Sequence, residues 1–113
     1  MEVPHERFEA LVAEALDLIP DELAEAIENL WVSVEDCSPD DPELLGLYYG
    51  IALTDREHYS GVMPDRIYIY RKPICALCED EEEIREQVKV TVIHEVAHHF
   101  GIDDERLEEL GWD

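Results

Sequence analysis

The sequence is poor in positive charge. Of its 113 residues only 8 are lysine or arginine, against 30 aspartates and glutamates, and the net charge is −22 at pH 7. Nucleic acids and anionic membrane surfaces are bound through clustered lysine and arginine. We therefore expect neither as a partner. The charge instead favours cationic partners, including cationic peptide or protein segments, and leaves the oligomeric state open.

Long apolar runs are also missing. A helix needs about 20 predominantly apolar residues to cross a bilayer, and no stretch approaches this. The first residues, Met1–Glu6, are acidic where a secretory signal peptide would be basic. We expect a cytoplasmic protein with no membrane association. The length suits one domain over residues 1–113.

Cysteine is scarce. The three cysteines, Cys37, Cys75 and Cys78, are an odd number and do not form a disulfide framework. The Cys-x-x-Cys pair at Cys75 and Cys78 is the spacing of a redox pair or of half a four-thiolate metal site. Because no second pair is present, we interpret both residues as small apolar side chains packed where a strand meets a helix.

Apolar residues recur at both helix and strand periods. Helical spacing predicts a first helix over residues 4–19, and a shorter pattern after Pro20 predicts a second. Alternation of apolar and polar residues predicts strands over residues 30–35, 45–53 and 66–71. Gly46 and Gly50 share one face of the middle strand, which indicates a bulge or a close backbone approach. The mixture of elements predicts an α+β fold.

The most informative stretch follows the acidic run Glu79–Glu83. Apolar residues at helical spacing predict a largely buried helix over residues 84–100, and the run lies at its N-terminal end, where the macrodipole favours negative charge. His94, Glu95 and His98 form a His-Glu-x-x-His pattern in that helix. Two histidines four positions apart share a face and can bind one Zn²⁺. Glu95 lies about 100° round the helix, suited to take a proton from water as a general base.

The residues after this helix supply a third ligand. Gly101 is the residue type that most readily adopts the left-handed conformation at a helix end. The resulting turn brings Asp104 back toward the two histidines. Three protein ligands leave one position open to water, as in catalytic zinc sites, whereas structural sites use four. We therefore predict that His94, His98 and Asp104 bind Zn²⁺.

The alternative is a purely structural role, in which a buried helix carries a few polar side chains and Asp104 only caps the next helix. That interpretation buries three polar side chains without an evident partner, which is costly. His99 points away from the shared face of His94 and His98, so we expect it to be structural. A last short helix is predicted over residues 104–110.

The pattern extended to Asp104 resembles the zincin metallopeptidases, and the aspartate ligand resembles one metzincin variant. Metzincins also carry a methionine turn after the motif, but both methionines here precede it. Ile93–Ile102 and Tyr59–Ile67 are more similar to the minimal zincins, small bacterial predicted zinc metallopeptidases. This resemblance covers nearly the whole chain. It implies a zincin-like α+β fold with N-terminal helices, a small mixed β-sheet, a buried active-site helix and a short C-terminal helix.

The motif and the resemblance predict a zinc-dependent metallopeptidase that hydrolyses peptide bonds with metal-activated water and Glu95 as general base. The alternative is a non-catalytic, metal-binding acidic module for protein interaction. Zincins lay the substrate antiparallel along a strand at the sheet edge beside the metal helix, and one strand here is expected to do the same. The donor that stabilises the oxyanion is not assigned among the candidates Tyr48, Tyr59, Tyr68 and Tyr70.

Overall fold

The protein was analysed as a computed structural model, which describes residues 1–21, 23–24, 30–49, 66–99 and 104–111. Three residues within these ranges, His99, Asp104 and Leu110, are described by their backbone alone. The helices are α1 (His5–Leu16), α2 (Arg71–Leu77), α3 (Glu81–His99) and α4 (Asp104–Leu110). The strands are β1 (Trp31–Glu35), β2 (Gly46–Tyr49) and β3 (Arg66–Tyr70).

The strands form a mixed sheet in the order β1-β3-β2. β1 pairs with β3 in parallel, and β2 pairs with β3 antiparallel. Ile67 and Ile69 of β3 are fully buried in the core that α1 and α3 complete. Tyr68 and Tyr70 lie on the opposite face, with stacked rings whose centroids are 6.4 Å apart. The predicted α+β class and small mixed sheet are confirmed.

α3 begins at Glu81, three residues before the predicted start, because Asp80 and Glu83 cap it. The backbone N–H of Glu83 donates to Asp80 Oδ1 at 2.8 Å. The Glu83 carboxylate in turn accepts the backbone N–H of Glu79 at 2.6 Å. This is close to a capping box, in which the first turn and the preceding residues satisfy each other's backbone donors. The acidic run therefore starts the helix by hydrogen bonding as well as by its charge.

The buried surface of α3 follows the predicted apolar stripe. Its fully buried residues are Ile84, Val88, Val92, Ile93, Val96 and Ala97. They pack against α1 and the inner face of the sheet, so that the helix is fixed on two sides. A helix held in this way presents its remaining face in a defined orientation.

Several element bounds differ from the prediction. Residues 71–77 form α2 directly after β3, where no helix was predicted; Pro73 lies in its first turn, a position at which a missing N–H is tolerated. α1 ends at Leu16 rather than 19, in a tight turn where the Leu18 N–H donates to the Ala15 carbonyl. β2 begins at Gly46, and residues 50–53 of the predicted strand lie outside the described residues, as does most of the predicted second helix. Cys75 and Cys78 are buried, as their interpretation as packing residues requires.

Candidate metal centre and adjoining cleft

The motif residues lie on the one side of α3 that the core does not cover. His94 and Glu95 are half-buried and His98 is exposed, whereas the neighbouring Ile93 and Val96 are fully buried. The same periodicity that buries the apolar stripe thus turns the three polar side chains outward. Exchange of water and access of a substrate both require this orientation.

The two imidazoles lie one above the other with ring centroids 5.9 Å apart and a tilt of 40°. A nitrogen ligand lies about 2 Å from Zn²⁺, so each ring centroid lies about 3 Å from the ion and two such centroids at most about 6 Å apart. The observed separation of His94 and His98 falls within that limit. The pair therefore fits a shared zinc ion, and imidazole nitrogen is a preferred zinc ligand.

The third predicted ligand, Asp104, is the first residue of α4, and its side chain lies outside the described residues. Leu107 is fully buried and anchors α4 on the core. Considering only side chains that the structure describes, no three histidine, cysteine, aspartate or glutamate groups converge on a point that could hold a metal. The ligand set of His94, His98 and Asp104 therefore stays a prediction. Gly101 and the His99 side chain also lie outside the described residues.

Glu95 contacts the backbone of β2. The N–H of Tyr48 donates to Glu95 Oε2 at 3.4 Å, a long and therefore weak hydrogen bond. Tyr70 donates its N–H to the carbonyl of Leu45, and directly opposed residues in an antiparallel pair alternate between bonded and non-bonded. Leu47 and Tyr49 consequently pair with β3, while Gly46 and Tyr48 direct their backbone groups away from it. In the described sheet, β2 is thus an edge strand whose outward groups meet the face of α3 that carries Glu95.

A close backbone approach brings β2 to this position. A Cβ atom added to Gly46 would lie 2.7 Å from Thr91 Cγ2 and 3.0 Å from the carbonyl oxygen of Tyr68. Both distances are too short for ordinary packing, so glycine is needed for β2 to lie against α3 at this point. The expectation that Gly46 marks a close approach is confirmed. The exposed face of β2 is the one that carries Leu47 and Tyr49, which are 39% and 66% exposed.

A groove of about 460 Å³ runs from Glu95 along α3 toward its N-terminal end. One wall is the segment from Asp41 to Gly46, and the other is the face of α3 with Gln87, Val90, Thr91 and His94. The groove thus adjoins the two motif residues that are half-buried.

The positions of three of the four candidate oxyanion donors relative to α3 are described. Tyr68 and Tyr70 lie on the face of β3 opposite the buried isoleucines and thus away from α3. Burial raises the pKa of Tyr70, opposed by a hydrogen bond with Ser38. Tyr59 lies outside the described residues. The Tyr48 side chain packs against the core and its backbone N–H contacts Glu95, so that Tyr48 is the one described candidate on the face of the sheet toward α3.

Sequence patterns did not indicate the backbone N–H of Tyr48 or the groove residues Asp41 and Glu43. A backbone N–H cannot be recognised in a sequence, because every residue except proline has one. Asp41 and Glu43 do not stand out in a loop of an acidic chain. The one available signal was Gly46, whose place in a strand marks a close approach to another element. It indicated where β2 is crowded but not that α3 is the crowding partner.

The profile of the zincin-like metallopeptidases matches residues 23–112, which is most of the chain. The chain belongs to this family. Zincin-like metallopeptidases typically bind zinc, in accord with the paired histidines on α3. No curated protein matches the sequence. Among the described helices of this zincin-like chain, none is both long and apolar enough to cross a membrane.

Proposed function

We propose that this zincin-like chain is a zinc-dependent peptidase, with His94, His98 and Asp104 as zinc ligands and Glu95 as general base. The observation that supports the proposal is the position of Glu95. Glu95 lines the same groove as His94, and its carboxylate accepts the backbone N–H of Tyr48 on the side of β2 that faces away from β3. A general base must reach both the attacking water and the peptide bond, so a place between a metal ligand and a peptide-binding edge suits that role.

Zinc, when bound, lowers the pKa of a water molecule and polarises the peptide carbonyl. Glu95 accepts a proton from the water as its oxygen forms a bond with the carbonyl carbon. Glu95 then delivers that proton to the leaving amine as the carbon–nitrogen bond breaks, so that water is the only co-reactant. The hydrogen bond from the Tyr48 N–H is weak, so Glu95 readily exchanges it during the reaction.

The substrate peptide is proposed to add antiparallel to β2, at the edge that no other described strand covers. Tyr48 directs its backbone groups to this edge, whereas Gly46 is buried against Thr91, and backbone pairing supplies affinity with little sequence preference. Tyr48 is proposed as the residue that donates to the oxyanion, because among the described candidates it is the one whose backbone contacts Glu95.

Metal content tests the ligand set. Protein purified without affinity tags or chelators should contain about one zinc per chain by elemental analysis. His98→Ala should lose most of it, whereas His99→Ala, which removes the same side chain one position along the helix, should keep it. Zinc bound equally by both variants would contradict the assignment of His98.

Glu95→Gln separates catalysis from metal binding. The variant keeps the shape of the side chain but cannot accept a proton, so peptide cleavage should fall by about 10²–10⁴-fold. Zinc content should not change, because Glu95 is not a proposed ligand. If the wild type loaded with zinc cleaves no peptide in a broad peptide mixture, the alternative of a metal-binding interaction module is favoured instead.

A further inference from the structure

The groove beside Glu95 has two chemically distinct parts. Val90 and the leucines at positions 44 and 45 line it with apolar atoms, while Asp41 and Glu43 carry carboxylates at its outer side. Both acidic residues are exposed. A groove with an apolar wall and a carboxylate mouth matches a side chain with an apolar stem and a cationic end, which describes lysine and arginine.

Among the described residues, no positive charge neutralises the carboxylates of Asp41 and Glu43. Asp41 Oδ1 accepts the backbone N–H of Glu43 at 3.0 Å, which fixes the turn without neutralising either charge. Within the described residues, neither carboxylate forms an ion pair, and no lysine or arginine lines the groove. The arginines at positions 7, 71 and 85 are engaged elsewhere, with Glu81, Asp36 and Glu14.

The direction of β2 decides which part of a peptide enters the groove. β2 runs from Gly46 to Tyr49, and the groove extends from Glu95 toward Gly46 and the residues before it. A peptide antiparallel to β2 runs the other way, so the residues that follow the cleaved bond pass into the groove. We infer that this groove selects lysine or arginine as the residue immediately after the cleaved bond, through Asp41 and Glu43. The inference rests on the proposed function for the direction of the peptide.

A matched pair of short fluorescent peptides, identical except for lysine or norleucine at the central position, tests the preference. Norleucine keeps the apolar stem and removes the charge. Cleavage of each peptide is measured with zinc-loaded wild type, and the bond cleaved is identified by mass spectrometry. Binding of each peptide is measured by fluorescence anisotropy with zinc-loaded Glu95→Gln, which makes the binding result independent of catalysis.

Two variants separate a local preference from general attraction by an acidic protein. Asp41→Asn combined with Glu43→Gln removes both charges and keeps an acceptor for the turn. The control combines Glu6→Gln with Glu82→Gln, which removes the same charge from exposed positions that do not line the groove. Each variant is made in the wild-type background for cleavage and in the Glu95→Gln background for binding.

The wild type should cleave the lysine peptide about three- to tenfold faster than the norleucine peptide, as two exposed ion pairs allow. Cleavage should occur before the lysine. The groove variant should bring the ratio close to one, and the control variant should keep it. Three results would overturn the inference and leave the proposed function standing. The wild type could cleave both peptides equally, the groove variant could keep the preference for the lysine peptide, or cleavage could occur after the lysine. A different outcome is that the lysine peptide binds selectively, that the groove variant loses this selectivity, and that the wild type cleaves neither peptide. This outcome would support selection of lysine by the groove and reject the proposed function.

Discussion

Gly46 sets how closely β2 approaches α3, and its replacement by alanine tests whether that approach holds the site together. The new methyl would lie 2.7 Å from Thr91 Cγ2 and 3.0 Å from the Tyr68 carbonyl oxygen. Thr91 cannot turn its methyl away without loss, because its hydroxyl donates to the Gln87 carbonyl at 2.8 Å and the residue is only 7% exposed. Either that hydrogen bond breaks or β2 moves away from α3.

The cost can be estimated from these contacts. Extra methyl groups forced into packed positions cost about 1–3 kcal/mol. Replacement of glycine by alanine also restricts the unfolded chain, which offsets about 0.4–1 kcal/mol of that cost. The net expectation for Gly46→Ala is a decrease of about 1–2 kcal/mol in the free energy of unfolding. A shift of β2 would also lengthen the contact between the Tyr48 N–H and Glu95, so the cleavage rate should fall while zinc content is kept.

Thr91→Ser supplies the matched background, because it removes only Cγ2 and keeps the hydroxyl. In this background Gly46→Ala should cost about 1 kcal/mol less, since the closer of the two contacts is gone. The wild type, the two single variants and the double variant are unfolded with urea in the presence of a chelator. Their free energies of unfolding give the coupling energy between Gly46 and Thr91 without a contribution from bound metal. An equal cost of Gly46→Ala in both backgrounds, or a stabilising effect in the wild type, would refute the steric explanation.

Two other features yield predictions that standard assays can check. A thiol reagent at neutral pH should modify exposed Cys37 first and reach Cys75 and Cys78 only on unfolding, because both are buried and burial raises the pKa of the Cys78 thiol; early labelling of Cys78, seen by peptide mass mapping, would contradict this. The hydrogen bonds from Arg7 hold the pKa of the Glu81 carboxyl below its ordinary value of 4.5, so Arg7→Gln should raise that pKa in an NMR titration. Because the lowered pKa belongs to the folded state, the stabilisation by this pair is present above about pH 4.5 and lost as the pH falls through the folded-state value, and an unchanged pKa in the variant would contradict the assignment.

The helix that carries the motif could be predicted from the sequence because its signals are local. The apolar stripe from Ile84 to Val96 has the helical period, and the acidic run before it both caps the helix and suits its dipole. The strand at 66–70 was equally clear, since its isoleucines and tyrosines alternate. α2 was missed because it has only seven residues and contains a proline, so neither its period nor its composition indicates a helix.

Contacts between distant parts of the chain could not be predicted. The parallel pairing of β1 with β3 joins residues more than thirty positions apart, as Trp31 opposite Arg66 illustrates, and alternation alone does not choose a partner. The groove likewise joins Asp41 to Gln87 and Glu95 through the packing of β2 on α3. Sequence patterns located the motif and the crowded glycine, but only the fold brings them to one edge.

The position of Glu95 favours catalysis over a metal site that serves binding alone. A half-buried carboxylate in a chain of net charge −22 adds repulsion, and the proposed ligand set does not need it. Nor does an open strand edge need a carboxylate there to bind a partner, since backbone groups pair without one. A general base, by contrast, must reach both the attacking water and the peptide, and that role suits Glu95, which lines the groove with His94 and contacts the backbone of β2. The interaction module would be the better description only if Glu95→Gln and the wild type bound zinc and peptide alike and neither cleaved.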